Sequence, residues 1–322
     1  MKKVLIRIPN WLGDTVMALP LIQGLIQSRQ FRISITAPKS CLTILEKEPG
    51  IDQFFPITPH IPFWIQKKWR KSITSWGAES IILLPTSLSS ALLACFAKIP
   101  ERIGYTSEAR TLLLTRSIKY NKKIYRLSHL TRNYVALGKL LTGDEIEYPE
   151  QPFFTDLIKY KEKSSILLFP GAIYGAAKRW QLKNFAELSK RIQKQFENPI
   201  FIMGKSNECI NPGIEWATKA TNLVGKTTIR QFLDHIAKAA LVIGNDSGAV
   251  HVAAAMKKPT IALFGSTSPE WTAPLGSHVR IVKTNVDCSP CYRSRCPEQF
   301  NYRCWQDLTV DKVWETVVEL LG

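Results

Sequence analysis

Apolar residues along the chain fall into two patterns, short unbroken runs and stretches in which they return every three or four positions. The runs read as strands covered on both faces, the returns as helices with one buried face. In the first half, residues 3–8 are such a run and residues 9–14 a turn. Residues 15–27 follow as a helix with Val16, Leu19, Ile22 and Ile26 on one side. Residues 32–37 and 80–84 are further strands. The second half starts the series again, with strands at 166–169, 199–203, 241–244, 260–264 and 279–282 and helices at 184–195, 228–239 and 247–256. A last amphipathic helix occupies 311–321, with Thr309 or Asp311 available to cap it. Strand-then-helix alternation, occurring twice, predicts an α/β protein with two parallel open sheets. Polar residues near 141–164 make the join, so the domains are read as 1–160 and 161–322, each large enough for its own core.

Composition narrows the partners. The 322 residues are 45% hydrophobic and 10% aromatic, which excludes a disordered chain. Lys and Arg number 43 against 26 Asp and Glu, a net +17, of which +10 lies in residues 1–160. Such a surface suits an anionic partner: nucleic acid, an acidic membrane face or a phosphorylated substrate. No apolar run approaches the roughly 20 residues of a membrane span. Lys2-Lys3 followed by Val4-Leu5-Ile6 resembles the start of a signal peptide, but Arg7 interrupts it, so the protein is expected in the cytoplasm. Seven cysteines cannot all pair with one another. Cys41, Cys95 and Cys209 are scattered and read as structural, whereas Cys288, Cys291, Cys296 and Cys304 are spaced C-x2-C-x4-C-x7-C. That density would suit a zinc-thiolate site, yet it fits no common finger, and buried or redox-exposed thiols are the preferred reading.

Two segments imitate a phosphate-binding P-loop, Gly204-Lys205-Ser206 and Gly225-Lys226-Thr227. The glycine required five residues earlier is Pro199 in one and Ala220 in the other. No G-x-G-x-x-G follows a strand, so a nicotinamide or flavin site is unsupported. Three strand-to-helix junctions carry chemistry instead. In Trp11-Leu12-Gly13-Asp14, Gly13 would allow a tight turn and Asp14 would be either an N-cap or a general base. The loop from Pro170-Gly171-Ala172 to Lys178-Arg179-Trp180 puts small residues before two cations suited to a diphosphate, with Trp180 expected to pack beneath. In Asn245-Asp246-Ser247-Gly248 through His251, a strand runs into a helix whose first amides, at Ser247 and Gly248, can hold an anion. Asp246 there is a cap or an orienting group, and His251 a structural residue or a ligand contact.

Taken together these segments resemble the ADP-heptose:lipopolysaccharide heptosyltransferases of glycosyltransferase family 9, over nearly the whole chain. Phe264-Gly265-Ser266-Thr267-Ser268-Pro269 also looks like this family, and Cys288-Ser289-Pro290-Cys291 favours its type II branch over type I. The resemblance implies a GT-B architecture, two Rossmann-like open-sheet domains facing a cleft, the first for the acceptor and the second for the sugar nucleotide. It implies inverting transfer of heptose from ADP-heptose to the inner core of lipopolysaccharide, without a required cofactor or metal. By position, Asp14 looks like the base acting on the acceptor hydroxyl and Lys178 like the cation on the donor diphosphate. Gly13, Gly171, Asp246, Ser247, Gly248 and His251 look like parts of the donor pocket, and Glu208 sits roughly where the family has an acid on the ribose.

The chain departs from the wider family at residues 61–71 (IPFWIQKKWRK) and 116–126 (RSIKYNKKIYR), which are basic and aromatic. Lys67, Lys68, Arg70 and Lys71 are expected to contact the acceptor's phosphates or the inner membrane face, against the plainer reading of a solvated charged surface. The competing readings are another family 9 transferase with a different acceptor or sugar nucleotide, and a basic nucleic-acid-binding protein. The last leaves the three junctions unexplained, and no nucleic-acid partner is expected.

Overall fold

The runs with fewest polar interruptions lie in the middle of two sheets, and the more polar strands lie at the edges. The computed structural model describes residues 1–59, 62, 65–155, 164–206 and 213–322. The chain forms two compact units, Met1–Asp156 and Leu157–Gly322. The first holds β1 (Lys2–Arg7), β2 (Phe31–Ala37), β3 (Ile51–Pro56), β4 (Ser80–Leu83), β5 (Glu101–Thr106) and β6 (Arg116–Lys119), in spatial order β3-β2-β1-β4-β5-β6. The second holds β7 (Ser165–Phe169), β8 (Ile200–Ile202), β9 (Ala220–Asn222), β10 (Ala239–Asn245), β11 (Thr260–Phe264) and β12 (Val279–Lys283), in order β12-β11-β10-β7-β8-β9. Every pairing is parallel. Both sheets therefore have the doubly wound order, in which the path reverses between the first and fourth strands of the unit.

In the first unit, Leu5, Ile81 and Leu83 pack with Trp69, Ile73 and Trp76 of the helix Lys67–Trp76. In the second, Ile166, Leu168, Leu241 and Ile243 meet Trp180, Phe185 and Trp305, and Val313 and Val317 of the last helix close the same core. That helix runs Val310–Leu321, and Thr309, not Asp311, caps it by accepting the Lys312 amide hydrogen. The expected single helix at 15–27 is two, Leu12–Met17 and Leu19–Gln27, broken at Ala18. Pro20, which has no N–H to give, stands in the first turn of the second helix. The first helix begins earlier than expected, which changes the setting of Asp14. Strands β3, β5, β6 and β9 were not expected from periodicity. No helix among the described residues is long and apolar enough to cross a membrane.

Candidate active site

Open parallel sheets leave a crevice at the carboxyl ends of their strands where the winding reverses, because the flanking connections there leave to opposite faces. In the first unit that place lies between β1 and β4, and Trp11-Leu12-Gly13-Asp14 leaves the end of β1. Trp11, half exposed, is the N-cap of the helix Leu12–Met17, and Asp14 is its third residue. Asp14 is thus not an N-cap. Gly13 has no left-handed backbone and is the second residue of the helix, so it is not a tight-turn glycine either. The Tyr134 hydroxyl donates to Asp14 Oδ1 at 2.9 Å. Tyr134 is buried on the helix Leu130–Thr142, and burial followed by the nearby Asp14 charge pushes its own ionisation far up, so it stays a neutral donor. The loop before the helix is held by Arg7, which donates to Asn10 Oδ1 at 2.7 Å.

In the second unit the reversal lies between β7 and β10. Lys178 is on the loop after β7, Asp246 directly follows β10, and Thr267 comes shortly after β11. The fold brings all three together. Lys178 Nζ lies 2.5 Å from Asp246 Oδ2, and Thr267 Oγ1 donates to the same oxygen at 2.7 Å. His251 Nε2 is 3.9 Å from Asp246 Oδ1. Asp246 is only 6% exposed, and burial works against its charge. The Lys178 ammonium and His251 outweigh burial and hold the carboxyl below the usual carboxylate range. The helix Gly248–Ala255 has Ser247, not Asp246, as its N-cap, and the Ser247 side chain makes no capping bond. Gly248 is the first residue of that helix and Gly171 is half-buried in the Lys178 loop.

Arg179, the second cation of the Lys-Arg pair, turns back to donate to the Ala172 carbonyl at 3.1 Å. Trp180 does pack beneath, with no exposure, and its indole N–H reaches the Leu308 carbonyl. Asn245 joins the loop to the sheet. It accepts the Trp180 amide hydrogen at 3.0 Å and donates to the Pro170 carbonyl at 2.7 Å. Neither Asn245 nor Thr267 was singled out from the sequence; both lie inside segments whose family-like pattern was visible, and that pattern was the only signal. Glu208 and Cys209 lie outside the described residues. Lys67, Lys68, Arg70 and Lys71 are exposed on the helix Lys67–Trp76, whose buried face is Trp69, Ile73 and Trp76.

Chemically, the second unit offers a cation and a helix start for an anion, and the first a carboxylate held by a neutral donor. The sequence model for glycosyltransferase family 9 (heptosyltransferase) matches residues 67–301. Lipooligosaccharide heptosyltransferase 2 of Haemophilus influenzae is 32% identical over 99% of both chains. Lipopolysaccharide heptosyltransferase 2 of Escherichia coli K12 is 28% identical, over 99% of this chain and 98% of that one. Among solved structures, E. coli ADP-heptose lps heptosyltransferase II superposes with a TM-score of 0.78 at 26% identity, covering 100% of this chain and 98% of that one. A family 9 glycosyltransferase from Veillonella parvula has the same fold, with a TM-score of 0.82 at 15% identity over 99% and 97% of the two chains.

Proposed function

The chain belongs to glycosyltransferase family 9, and on that premise we propose that it moves heptose from ADP-heptose to the inner core of lipopolysaccharide, adding the second heptose. The observation that carries this reading is the extent of the likeness: the heptosyltransferase 2 relatives match 99% of the chain, the basic first unit as well as the second.

Each assigned role follows from the reaction's charge. In an inverting displacement the acceptor hydroxyl attacks the anomeric carbon as the bond to ADP breaks, so a base must take the hydroxyl proton while negative charge grows on the diphosphate. Asp14 is the base, held in place by Tyr134. Lys178 and the first amides of the helix beginning at Gly248 receive the diphosphate, for which a fixed cation and a positive helix end are the complementary partners. Asp246 keeps the ammonium in position before the donor arrives, with Thr267 and His251 fixing the carboxylate. Gly13, Gly171 and Glu208 complete the donor assignment by their positions in the family-like segments. No cofactor is needed for this chemistry.

The first unit, 1–160 in the sequence reading, takes the acceptor, and the protein works in the cytoplasm at the inner membrane face. Support for peripheral contact comes from exposed apolar residues beside cations. Ile124 is 65% and Leu127 80% exposed, next to exposed Lys122 and Lys123. Incubation with ADP-heptose and defined core acceptors, followed by determination of the product linkage, tests the whole reading. Transfer to the first inner-core heptose is the expected result; transfer only to some other acceptor, or none, defeats it. Asp14→Asn should retain ADP binding while transfer falls by about 100-fold or more, and undiminished transfer would remove Asp14 from the mechanism.

A further inference from the structure

We propose that Cys288, Cys291, Cys296 and Cys304 bind one zinc ion as four thiolates, and that this site braces the loop carrying Lys178. The four side chains line a single cavity of about 190 Å³, shared with Arg293 and Arg303. Among the described residues no carboxylate lines it. Four thiolates around a divalent cation carry two net negative charges, which the two guanidiniums offset, and binding releases the four thiol protons to solvent. A tetrahedral set of four thiolates suits zinc or an iron–sulfur centre, and a purely bracing site calls for the ion without redox chemistry, zinc. Among the described residues no group of three or more His, Cys, Asp or Glu side chains is already arranged to hold a metal. Closure on the ion therefore takes side-chain rotation within the cavity. A cysteine stepping between staggered χ1 wells moves its sulfur by about 3 Å.

The surrounding backbone is one that a cross-link would stiffen. Residues 284–297 form neither helix nor strand. Tyr292, Asn301 and Tyr302 are all left-handed, a conformation that non-glycine residues hold only where the surroundings impose it. This segment is also what the Lys178 loop rests on. The Ala177 amide donates to the Ser294 carbonyl at 3.1 Å, the Tyr174 hydroxyl to the Tyr292 carbonyl at 3.0 Å, and the Trp305 indole to the Ala177 carbonyl at 2.8 Å. Tyr174 in turn lies under Lys178, whose Nζ is 5.4 Å from the ring centre. An ion that fixes 288–304 fixes the cation as well.

The test is metal analysis of the full chain purified without added metal, together with its melting temperature before and after a strong zinc chelator. Roughly one zinc per chain is expected, with melting lowered by about 5 °C or more on chelation and restored by zinc. Cys291→Ser combined with Cys296→Ser should lose the metal and raise the KM for the sugar nucleotide several-fold, with Lys178 unchanged. Only this last readout rests on the donor assignment, so its failure can be told apart from failure of the metal site. Wild-type protein that is free of zinc and gains no stability from it, or a double variant that keeps its zinc, overturns the proposal; neither observation on the wild type depends on the variant folding.

Discussion

Asp14 and Asp246 both follow a strand of a doubly wound sheet, and each reads as a helix cap from local pattern alone. Neither is one. Trp11 and Ser247 take the N-cap positions, and both carboxylates are engaged by side chains from distant parts of their own units. That displacement from the plain local role is the kind of signal a functional carboxylate gives. Tyr134→Phe removes the hydrogen bond that holds the Asp14 carboxylate in place, so kcat should fall by about tenfold, as steady-state kinetics against wild type would show. Asp246 bears on stability through pH instead. A carboxyl held below its unfolded value near 4 contributes stability that is full above that pH and is lost only as pH falls through the lower folded value. Urea midpoints between pH 7 and 5 should therefore show no loss traceable to the Lys178–Asp246 pair. Asp246→Ala leaves Lys178 unpaired in a mostly buried place and should cost about 3 kcal/mol of unfolding free energy in the same titration.

At the scale of elements, legibility followed burial. The strands β4, β7 and β11 are covered along their whole length, so each is an apolar run and was visible in the sequence. Strands β3, β6 and β9 are edges with mostly exposed or half-exposed side chains, and β5, though central in part, begins with Glu-Arg. No local pattern distinguishes such segments from loops; pairing with a neighbour already in place makes them strands. The helix expected at 228–239 begins one residue later, because Thr228 is its cap rather than its first residue. Thr228 and Gln231 form a reciprocal capping box at the helix Ile229–Ala237, and Thr228→Ala should lower unfolding free energy by about 1 kcal/mol, as chemical denaturation would show. Gly175 belongs to this scale too. Its φ of 153° is a glycine conformation, and a side chain there would meet the backbone of Ser294. Gly175→Ala should shift the Lys178 loop and weaken ADP binding by about tenfold, measurable by calorimetry, with the melting temperature changed far less than by Asp246→Ala.

For the molecule as a whole, the +17 charge is divided unevenly, and the exposed cations of the helix Lys67–Trp76 are among the larger first share. Neutralising Lys67, Lys68, Arg70 and Lys71 together should reduce binding to vesicles of anionic lipid and make the remainder less sensitive to salt, since screening acts on exposed charge; sedimentation at two ionic strengths compares the variants. The solvated-face reading predicts no change in either. By itself the sequence determined the two-domain α/β class, the central strands, the main helices and the three junctions. Those properties follow from which side chains avoid water and which local turns the backbone allows, and both are short-range. Only the tertiary structure decided that Lys178, Thr267 and Asp246 share one oxygen, that Tyr134 holds Asp14, and that four cysteines with no familiar spacing face one cavity. The first two join residues far apart in the chain, which the order of strands and helices brings together, whereas the cysteines lie within 288–304 and are gathered by the folding of that one segment against the second unit. Parallel pairing is set by the competition of all strands for a covered place in the sheet, which no window of sequence contains.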